Sequence, residues 1–133
     1  MTRGALLDTC VVIWWANGNT RKISVAADRL LRSPDTVVSL AAFSIVEIAV
    51  LTERKRLTLD KHWKLWVRQT VSVYGWSVLP ATWEVMEEAY SLPGEMHGDP
   101  ADRILVATAR LNGLTLVTPD EKLLNYPHVE TLW

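Results

Sequence analysis

Cysteine is almost absent from this sequence of 133 residues, and the one present, Cys10, excludes an internal disulfide and a zinc site built from several cysteines. Long apolar runs are also missing. The stretch from Leu6 to Ala16 is interrupted by Asp8 and is far shorter than the roughly 20 residues of a membrane span. No small-residue cleavage site follows it, which argues against a secretory signal. We therefore expect a cytoplasmic protein with no membrane association.

A large excess of charge of one sign is missing as well. The 14 Lys and Arg stand against 15 Asp and Glu, and the formal net charge of −1 excludes a non-specific coat for nucleic acid. The charges are nevertheless divided: residues 1–79 carry 11 basic and 6 acidic side chains, whereas residues 80–133 carry 3 and 9. A basic half joined to an acidic half can attract an anionic polymer and still hold cations at one place.

Internal repeats, linkers and low-complexity tracts are absent, and so are the glycine-rich phosphate-binding motifs of nucleotide-binding proteins. Hydrophobic residues make up 49% of the chain and charged residues 22%, which is the balance of a folded globule. A chain of this length buries enough surface for one core. We predict a single domain over residues 1–133.

What is present is an alternation of short apolar strands with helices. The predicted strands cover residues 5–7, 36–39, 76–79, 114–117 and 129–132; the predicted helices cover 9–16 (or a turn there), 23–31, 42–54, 59–73, 82–91, 101–111 and 120–124. Asp60 is expected in the first turn of the fourth helix and Thr82 at the N-cap of the fifth. The strands are continuously apolar, so both sheet faces should be covered. This pattern predicts an α/β fold, a three-layer α/β/α sandwich with a mostly parallel sheet.

In such a sheet the functional site lies at the carboxyl ends of the strands, and two acids follow predicted strands there. Asp8 comes directly after the first strand, and Asp120 follows the fourth strand by three residues. Each could be only a helix N-cap, and for Asp120 taken alone this is the preferred interpretation. For Asp8 the cap and a functional role are equally well supported.

Two further acids lie on predicted helices with an apolar side. Glu47 has Phe43 and Leu51 among its neighbours on the helix, and a carboxylate on such a face needs a partner, a proton or a metal ion. The alternative is a structural Glu satisfied by an Arg or by the backbone, but a functional role is favoured because Glu is seldom buried without a partner. In the segment Asp-Pro-Ala-Asp, Asp99 is the better N-cap because proline follows it, whereas Asp102 shares a face with Leu105 and points inward.

The fold could therefore gather four carboxylates, those of Asp8, Glu47, Asp102 and Asp120. Like charges brought together repel one another, and a divalent cation removes this cost. Oxygen ligands without a cysteine pair or a histidine motif favour Mg²⁺ or Mn²⁺ over zinc. The reaction implied is metal-assisted hydrolysis of a phosphodiester.

Four short motifs occur in order along almost the whole chain. They are Leu6-Leu7-Asp8-Thr9, the Ser-x-x-Glu of residues 44–47, the His-x-Asp-Pro-x-Asp-Arg of residues 97–103, and the Leu-Val-Thr-x-Asp of residues 116–120. With these motifs the sequence resembles the PIN-domain ribonucleases, in particular the VapC-type toxins of toxin–antitoxin pairs. Each motif alone is weak, but four at suitable spacing form a specific pattern.

The resemblance implies a metal-dependent endoribonuclease in which a water activated by Mg²⁺ or Mn²⁺ hydrolyses the RNA backbone. Asp8, Glu47, Asp102 and Asp120 would be both catalytic and metal-binding, with Asp8 and Asp102 as direct ligands. Glu47 and Asp120 would hold a second ion or orient water. The partners implied are an RNA substrate, a cognate antitoxin and a second copy of the chain in a homodimer.

Four accessory residues complete the predicted site. Asp99 would assist the four acids, and the hydroxyls of Thr118 and Ser44 would orient carboxylates or water. Arg103, next to Asp102, could reach the scissile phosphate or pair with an acid. His97 is expected to be a hydrogen-bonding residue of the loop rather than a catalyst.

Basic residues are concentrated before and within the fourth predicted helix. Arg54, Lys55, Arg56, Lys61, Lys64 and Arg68 place six cations within 15 residues. Most of them are expected to lie on solvated helix faces, while a few could bind RNA phosphate and make binding dependent on salt.

Two other functions fit parts of the same pattern. A metal phosphatase or a nuclease for DNA could use the same acids, and substrate panels would separate these activities. A catalytically silent PIN scaffold that binds RNA or a protein would have no need for tight Mn²⁺ binding. The complete set of acids argues against the silent scaffold.

Overall fold

A parallel sheet with helices on both faces forms the computed structural model, which describes residues 3–133. The strands are β1 (Arg3–Leu7), β2 (Thr36–Ala41), β3 (Ser77–Leu79), β4 (Thr115–Val117) and β5 (Thr131–Leu132). The helices are α1 (Thr9–Ala16), α2 (Val25–Arg32), α3 (Ala42–Glu53), α4 (Trp63–Tyr74), α5 (Trp83–Ala89), α6 (Pro100–Leu111) and α7 (Glu121–Leu124), with a short 3₁₀ helix at Thr20–Lys22. The strand order is β3-β2-β1-β4-β5.

Strand β1 lies at the centre of the sheet, where its residues 5–7 are shielded from solvent on both faces. It pairs in parallel with β2, aligning Leu6 with Ser39, and with β4, aligning Leu6 with Leu116. Ala5, Leu6 and Leu7 are all 0% exposed, which explains why this strand is continuously apolar rather than alternating.

Two separate cores cover the two faces of the sheet. Ala5 and Leu7 belong to a core that includes Val11 of α1, Ile48 of α3 and Trp66 of α4. The intervening Leu6 points the other way, into a core with Val106 of α6 and Leu123 of α7. The predicted three-layer α/β/α sandwich is therefore confirmed, and the sheet is parallel throughout the described residues.

Most element boundaries agree with the sequence prediction within about two residues, as expected for helix ends. The fourth helix is the exception: it begins at Trp63 and not at residue 59, so Asp60 is not in its first turn. The His62 ring caps the helix by accepting a hydrogen bond from the Lys64 backbone N–H at 3.2 Å. The apolar residues Leu57 and Leu59 lie in the loop that precedes this helix, where they pack on the core.

Two predicted caps are present. Thr82 Oγ1 accepts a hydrogen bond from the backbone N–H of Val85 at 3.2 Å, and Asp99 Oδ1 accepts one from Ala101 at 2.9 Å at the start of α6. The last strand is shorter than expected, covering Thr131–Leu132 only. No helix in residues 3–133 combines the length and apolarity that a bilayer crossing requires.

Candidate active site

The carboxylate of Asp8 lies immediately beyond the carboxyl end of β1, at the N-cap position of α1. Its side chain makes no capping bond to that helix. Instead Oδ2 accepts a hydrogen bond from the Thr118 hydroxyl at 2.7 Å. The position is therefore that of a cap, but the side chain is turned toward the end of β4.

Thr118 joins the two acid-bearing strand ends. Its side chain is 0% exposed, and its hydroxyl donates to Asp8 while accepting from the backbone N–H of Asp120 at 3.1 Å. A hydroxyl can perform both functions because it carries one proton and two lone pairs. The structure thus places Thr118 where it orients Asp8.

Glu47 reaches the site from α3 and is held by a chain of two hydroxyls. Thr9 Oγ1 lies 2.6 Å from Glu47 Oε1 and 2.8 Å from Ser44 Oγ. Because a hydroxyl has one proton, donation from Thr9 to an ionised Glu47 requires donation from Ser44 to Thr9. Ser44 therefore acts on the carboxylate through Thr9 and not by direct contact.

The role of Thr9 was not predicted from the sequence. It is 5% exposed, and its partners lie 35 and 38 residues away in the chain. Its position next to Asp8 in the first motif is the only local signal, and that signal does not indicate what the hydroxyl contacts.

Asp102 lies in the first turn of α6 and is held by His97. The His97 Nε2 is 2.6 Å from Asp102 Oδ2, so the imidazole donates to the carboxylate. His97 is thus a hydrogen-bonding residue of the loop, as expected. Asp99 caps the same helix, and its charge adds to the negative potential at Asp102.

Asp120 serves as the N-cap of α7, which confirms the interpretation preferred for it from the sequence alone. Its Oδ1 accepts a hydrogen bond from the Lys122 backbone N–H at 2.9 Å. Capping does not remove it from the site, because its negative charge still raises the pKa values of Asp8 and Asp102.

Arg103 forms no ion pair with an acid within 4.0 Å among the described residues, and its contact with the scissile phosphate stays a prediction. Its three guanidinium nitrogens donate to the backbone carbonyls of Ala89, Met96 and His97 at 2.9–3.1 Å, and the guanidinium carbon lies 5.0 Å from the Tyr90 ring centroid. Arg103 therefore fixes the loop that carries His97.

Burial and mutual repulsion raise the pKa values of three of the acids. Burial is the largest cause of the raised pKa of Asp8. The negative charges of Asp102 and Asp120 raise this pKa further, while the hydrogen bond from Thr118 lowers it. Burial also raises the pKa of Glu47, to which Asp8 and Asp102 add. The pKa of Asp102 is raised by burial and then by Asp99 and Asp120, against the His97 hydrogen bond. The four predicted acids therefore act on one another electrostatically.

No lysine or arginine side chain among the described residues lies within 4.0 Å of these four acids. Three or more His, Cys, Asp or Glu side chains do not converge within residues 3–133 as a ready-made ligand group. Mg²⁺ typically uses only one or two carboxylates and keeps several waters, so it does not need such a group. An uncompensated set of oxygen donors fits a hydrated divalent cation.

A polar cleft of about 460 Å³ opens beside Asp8 and Glu47. Its other lining residues include Trp14, Lys22 and Arg56. A second groove of about 520 Å³ lies between α3, α4 and β3, is mainly apolar, and contains none of the four acids.

Comparison with known proteins shows the family of the chain. The family model described as "PIN domain" matches residues 5–129. The chain is 34% identical to Ribonuclease VapC22 of Mycobacterium tuberculosis over 131 residues, which is 96% of this chain and 97% of that protein.

Solved structures share the fold at lower sequence identity. A toxin–antitoxin complex from Klebsiella pneumoniae matches with a TM-score of 0.62 and 21% identity over 94% of both chains. VapC20 of Mycobacterium tuberculosis, described as a sarcin-ricin loop cleaving toxin, matches with a TM-score of 0.61 and 19% identity over 95% of this chain and 97% of that one. The chain therefore belongs to the PIN domain family, among the VapC proteins.

Proposed function

We propose that this protein is an endoribonuclease and the toxin of a toxin–antitoxin pair of the VapC type. The observation that carries the proposal is the arrangement at the carboxyl edge of the sheet, where Asp8, Glu47, Asp102 and Asp120 influence one another with no lysine or arginine within 4.0 Å among the described residues. RNA as the substrate is supported by the 34% identity to a VapC ribonuclease across nearly the full chain.

The cofactor proposed is Mg²⁺ or Mn²⁺, held by Asp8 and Asp102, with Glu47 and Asp120 holding a second ion or orienting water. When bound, the cation would supply positive charge for the developing negative charge at phosphorus and lower the pKa of the attacking water.

Hydrogen bonds from neighbouring side chains hold three of the acids in position. Thr118 fixes the Asp8 oxygen Oδ2, the Ser44–Thr9 pair fixes Glu47, and His97 fixes Asp102. Contacts of this kind hold ligands in position, and their loss typically lowers metal affinity or activity by about 10–100-fold.

The proposed partners follow from the family. We expect a cognate antitoxin that restrains the nuclease, and a homodimer as the assembled form. The place of action proposed is the cytoplasm, where RNA is available to the enzyme. The Klebsiella pneumoniae relative, solved as a toxin–antitoxin complex, supports the antitoxin assignment through the shared fold.

Cleavage of a labelled total-RNA pool tests this function. Wild-type protein with Mg²⁺ or Mn²⁺ should produce discrete cuts that EDTA abolishes. Asp8→Asn should slow cleavage at least about 100-fold, the size typical of removing one electrostatic contact at an active centre. Asp35→Asn is the matched control, because Asp35 is an exposed carboxylate outside the cleft.

Equal cleavage by the wild type and Asp8→Asn that persists in EDTA would identify a contaminating nuclease. Equal cleavage that EDTA abolishes would contradict the role of Asp8. Faster cleavage of a matched DNA strand would assign the acids to DNA instead. Folded wild-type protein that neither cuts RNA nor binds Mn²⁺ in calorimetry would establish the silent scaffold in place of the enzyme.

A further inference from the structure

The cleft beside the acids is lined by charged, polar and apolar side chains. Asp8, Thr9 and Glu47 line the part shared with the site, while Lys22 and Arg56 also line it. Its volume of about 460 Å³ lies within the roughly 300–1,000 Å³ of sites that enclose small ligands. It is large enough to hold part of a polymer next to the reacting group.

Arg56 is directed into this cleft by the way α3 ends. Lys55 has a positive φ of 57°, a left-handed conformation that is uncommon for a residue with a side chain. This reverses the chain so that the backbone N–H of Arg56 donates to the Leu51 carbonyl at 2.9 Å. Of the three consecutive basic residues 54–56, only Arg56 lines the cleft.

Lys22 is directed into the same cleft by an aromatic contact. It ends the 3₁₀ helix Thr20–Lys22, and its Nζ lies 5.5 Å from the centroid of the Trp14 ring. Trp14 itself lines the cleft and packs near Trp133, with ring centroids 6.2 Å apart. Attraction of the ammonium to the ring face places a positive charge at the cleft wall.

Both cations are available to an anionic ligand. Neither Lys22 nor Arg56 lies within 4.0 Å of an acid among the side chains that the structure describes, whereas Arg32 and Arg110 are paired with Asp28 and Glu88. They remain separate from Asp8 and Glu47 although all four side chains line one cleft. The cleft thus offers uncompensated positive charge next to uncompensated negative charge.

We propose that Arg56 and Lys22 bind the phosphate that flanks the scissile bond on a single RNA strand. This inference rests on the proposed function. The strand would pass from the acids, where the cut is made, into the cleft, where the neighbouring phosphate meets the two cations. Arg suits this task because its planar guanidinium can donate two parallel hydrogen bonds to a phosphate. The pair is a positioning device and does not take part in the chemical step.

Binding of a short fluorescein-labelled single-stranded RNA, followed by anisotropy in EDTA at several salt concentrations, tests the inference. All proteins carry Asp8→Asn so that no RNA is cut. Arg56→Ala and Lys22→Ala should each weaken binding about 5–10-fold and reduce the salt slope by about one. Arg54→Ala, an equal loss of charge one residue before the turn, should change affinity less than about twofold.

Arg56→Lys should restore part of the affinity lost in Arg56→Ala, because the charge remains while the two parallel hydrogen bonds are lost. This partial recovery would show that Arg56→Ala does not act through misfolding. Equal effects of Arg54→Ala and Arg56→Ala would mean that the attraction is diffuse and would overturn the inference. A short oligo-glutamate peptide provides a further test. If binding of this peptide depends on Arg56 while binding of RNA does not, the cleft belongs to an acidic protein segment and the inference is overturned.

Steady-state cleavage by proteins with Asp8 intact separates this inference from the proposed function. Arg56→Ala should raise KM with kcat nearly unchanged, because the contact is made equally in the ground state and the transition state. If Arg56→Ala leaves KM unchanged while cleavage still depends on Asp8, the inference is refuted and the proposed function stands. A parent protein that neither binds nor cleaves RNA would refute both.

Discussion

A single buried hydroxyl, that of Thr118, connects the two ends of the chain at the site. It donates to Asp8, and it accepts from the backbone of Asp120. A side chain of the same shape without the hydroxyl would leave the fold nearly unchanged and remove both bonds. Under the proposed function, the orientation of Asp8 depends on this one hydroxyl.

Thr118→Val should lower kcat about 10–100-fold, because the Asp8 carboxylate loses its fixed orientation. The free energy of unfolding should fall by about 1 kcal/mol, since both hydrogen-bond partners remain buried. RNA cleavage rates and urea unfolding measure the two effects.

Thr36→Val is the matched control, because the Thr36 hydroxyl is buried and has no hydrogen-bond partner among the described residues. It should leave cleavage unchanged and keep or raise stability. Loss of activity in both variants would show that the change acts through general destabilisation rather than through Asp8.

At the scale of the element, the end of α3 contains the clearest backbone strain. The left-handed conformation of Lys55 costs about 1–2 kcal/mol for a residue with a Cβ, and glycine adopts it without this cost. Arg54, the preceding residue, has an ordinary φ of −81°. The same substitution should therefore have opposite effects at neighbouring positions.

Lys55→Gly should stabilise the fold by about 0.5–1 kcal/mol, because the relieved strain exceeds the extra entropy of glycine in the unfolded chain. Arg54→Gly should be neutral or destabilising by up to about 1 kcal/mol. Chemical denaturation monitored by tryptophan fluorescence measures both. A stabilising Arg54→Gly with a destabilising Lys55→Gly would contradict the conformation described for this turn.

Some of the helices and strands could be predicted from the sequence, and others could not. The strands were predictable because residues such as Leu6 are buried on both faces and leave a continuous apolar run. The start of α4 was not, since Leu57 and Leu59 pack on the core from a loop and imitate helical periodicity. The apolar pattern of a sequence indicates which residues are buried. It does not distinguish a helix from a packed loop, because both bury apolar residues.

The candidate site likewise contains residues that the sequence predicts and contacts that it does not. The four acids could be proposed from motifs because each motif is local, and their catalytic role stays a prediction. The contacts of Thr9 could not, since its partners Ser44 and Glu47 lie on another helix. The contacts of Arg103 could not be predicted either, because the carbonyls that it meets, such as that of Ala89, are brought there by the packing of α5 on α6.

At the scale of the whole molecule, the acids are gathered at a cost to stability. In the cation-free protein the raised pKa values of Asp8, Glu47 and Asp102 mean that the folded state keeps protons that the unfolded state has released. The free energy of unfolding should therefore decrease as the pH rises from about 4 through the raised values.

Asp8→Asn should raise Tm in EDTA at neutral pH by a few degrees and flatten its pH dependence. Adding Mn²⁺ should raise the Tm of the wild type and have much less effect on Asp8→Asn, since ligands stabilise only the state that binds them. Thermal melts from pH 4 to 8, with Asp35→Asn as the control, test this. Identical profiles for the two variants would contradict the account of the acidic cluster.

The bond between Thr118 and Asp8 joins residues 110 positions apart. During synthesis, the first acid is therefore made long before the hydroxyl that orients it, and the two meet only after residue 118 has left the ribosome. A nascent chain consequently carries no assembled site until residue 118 has emerged. The same dependence applies to proteolysis, because a C-terminal truncation that removes Thr118 also removes β5 and leaves Asp8 without its partner.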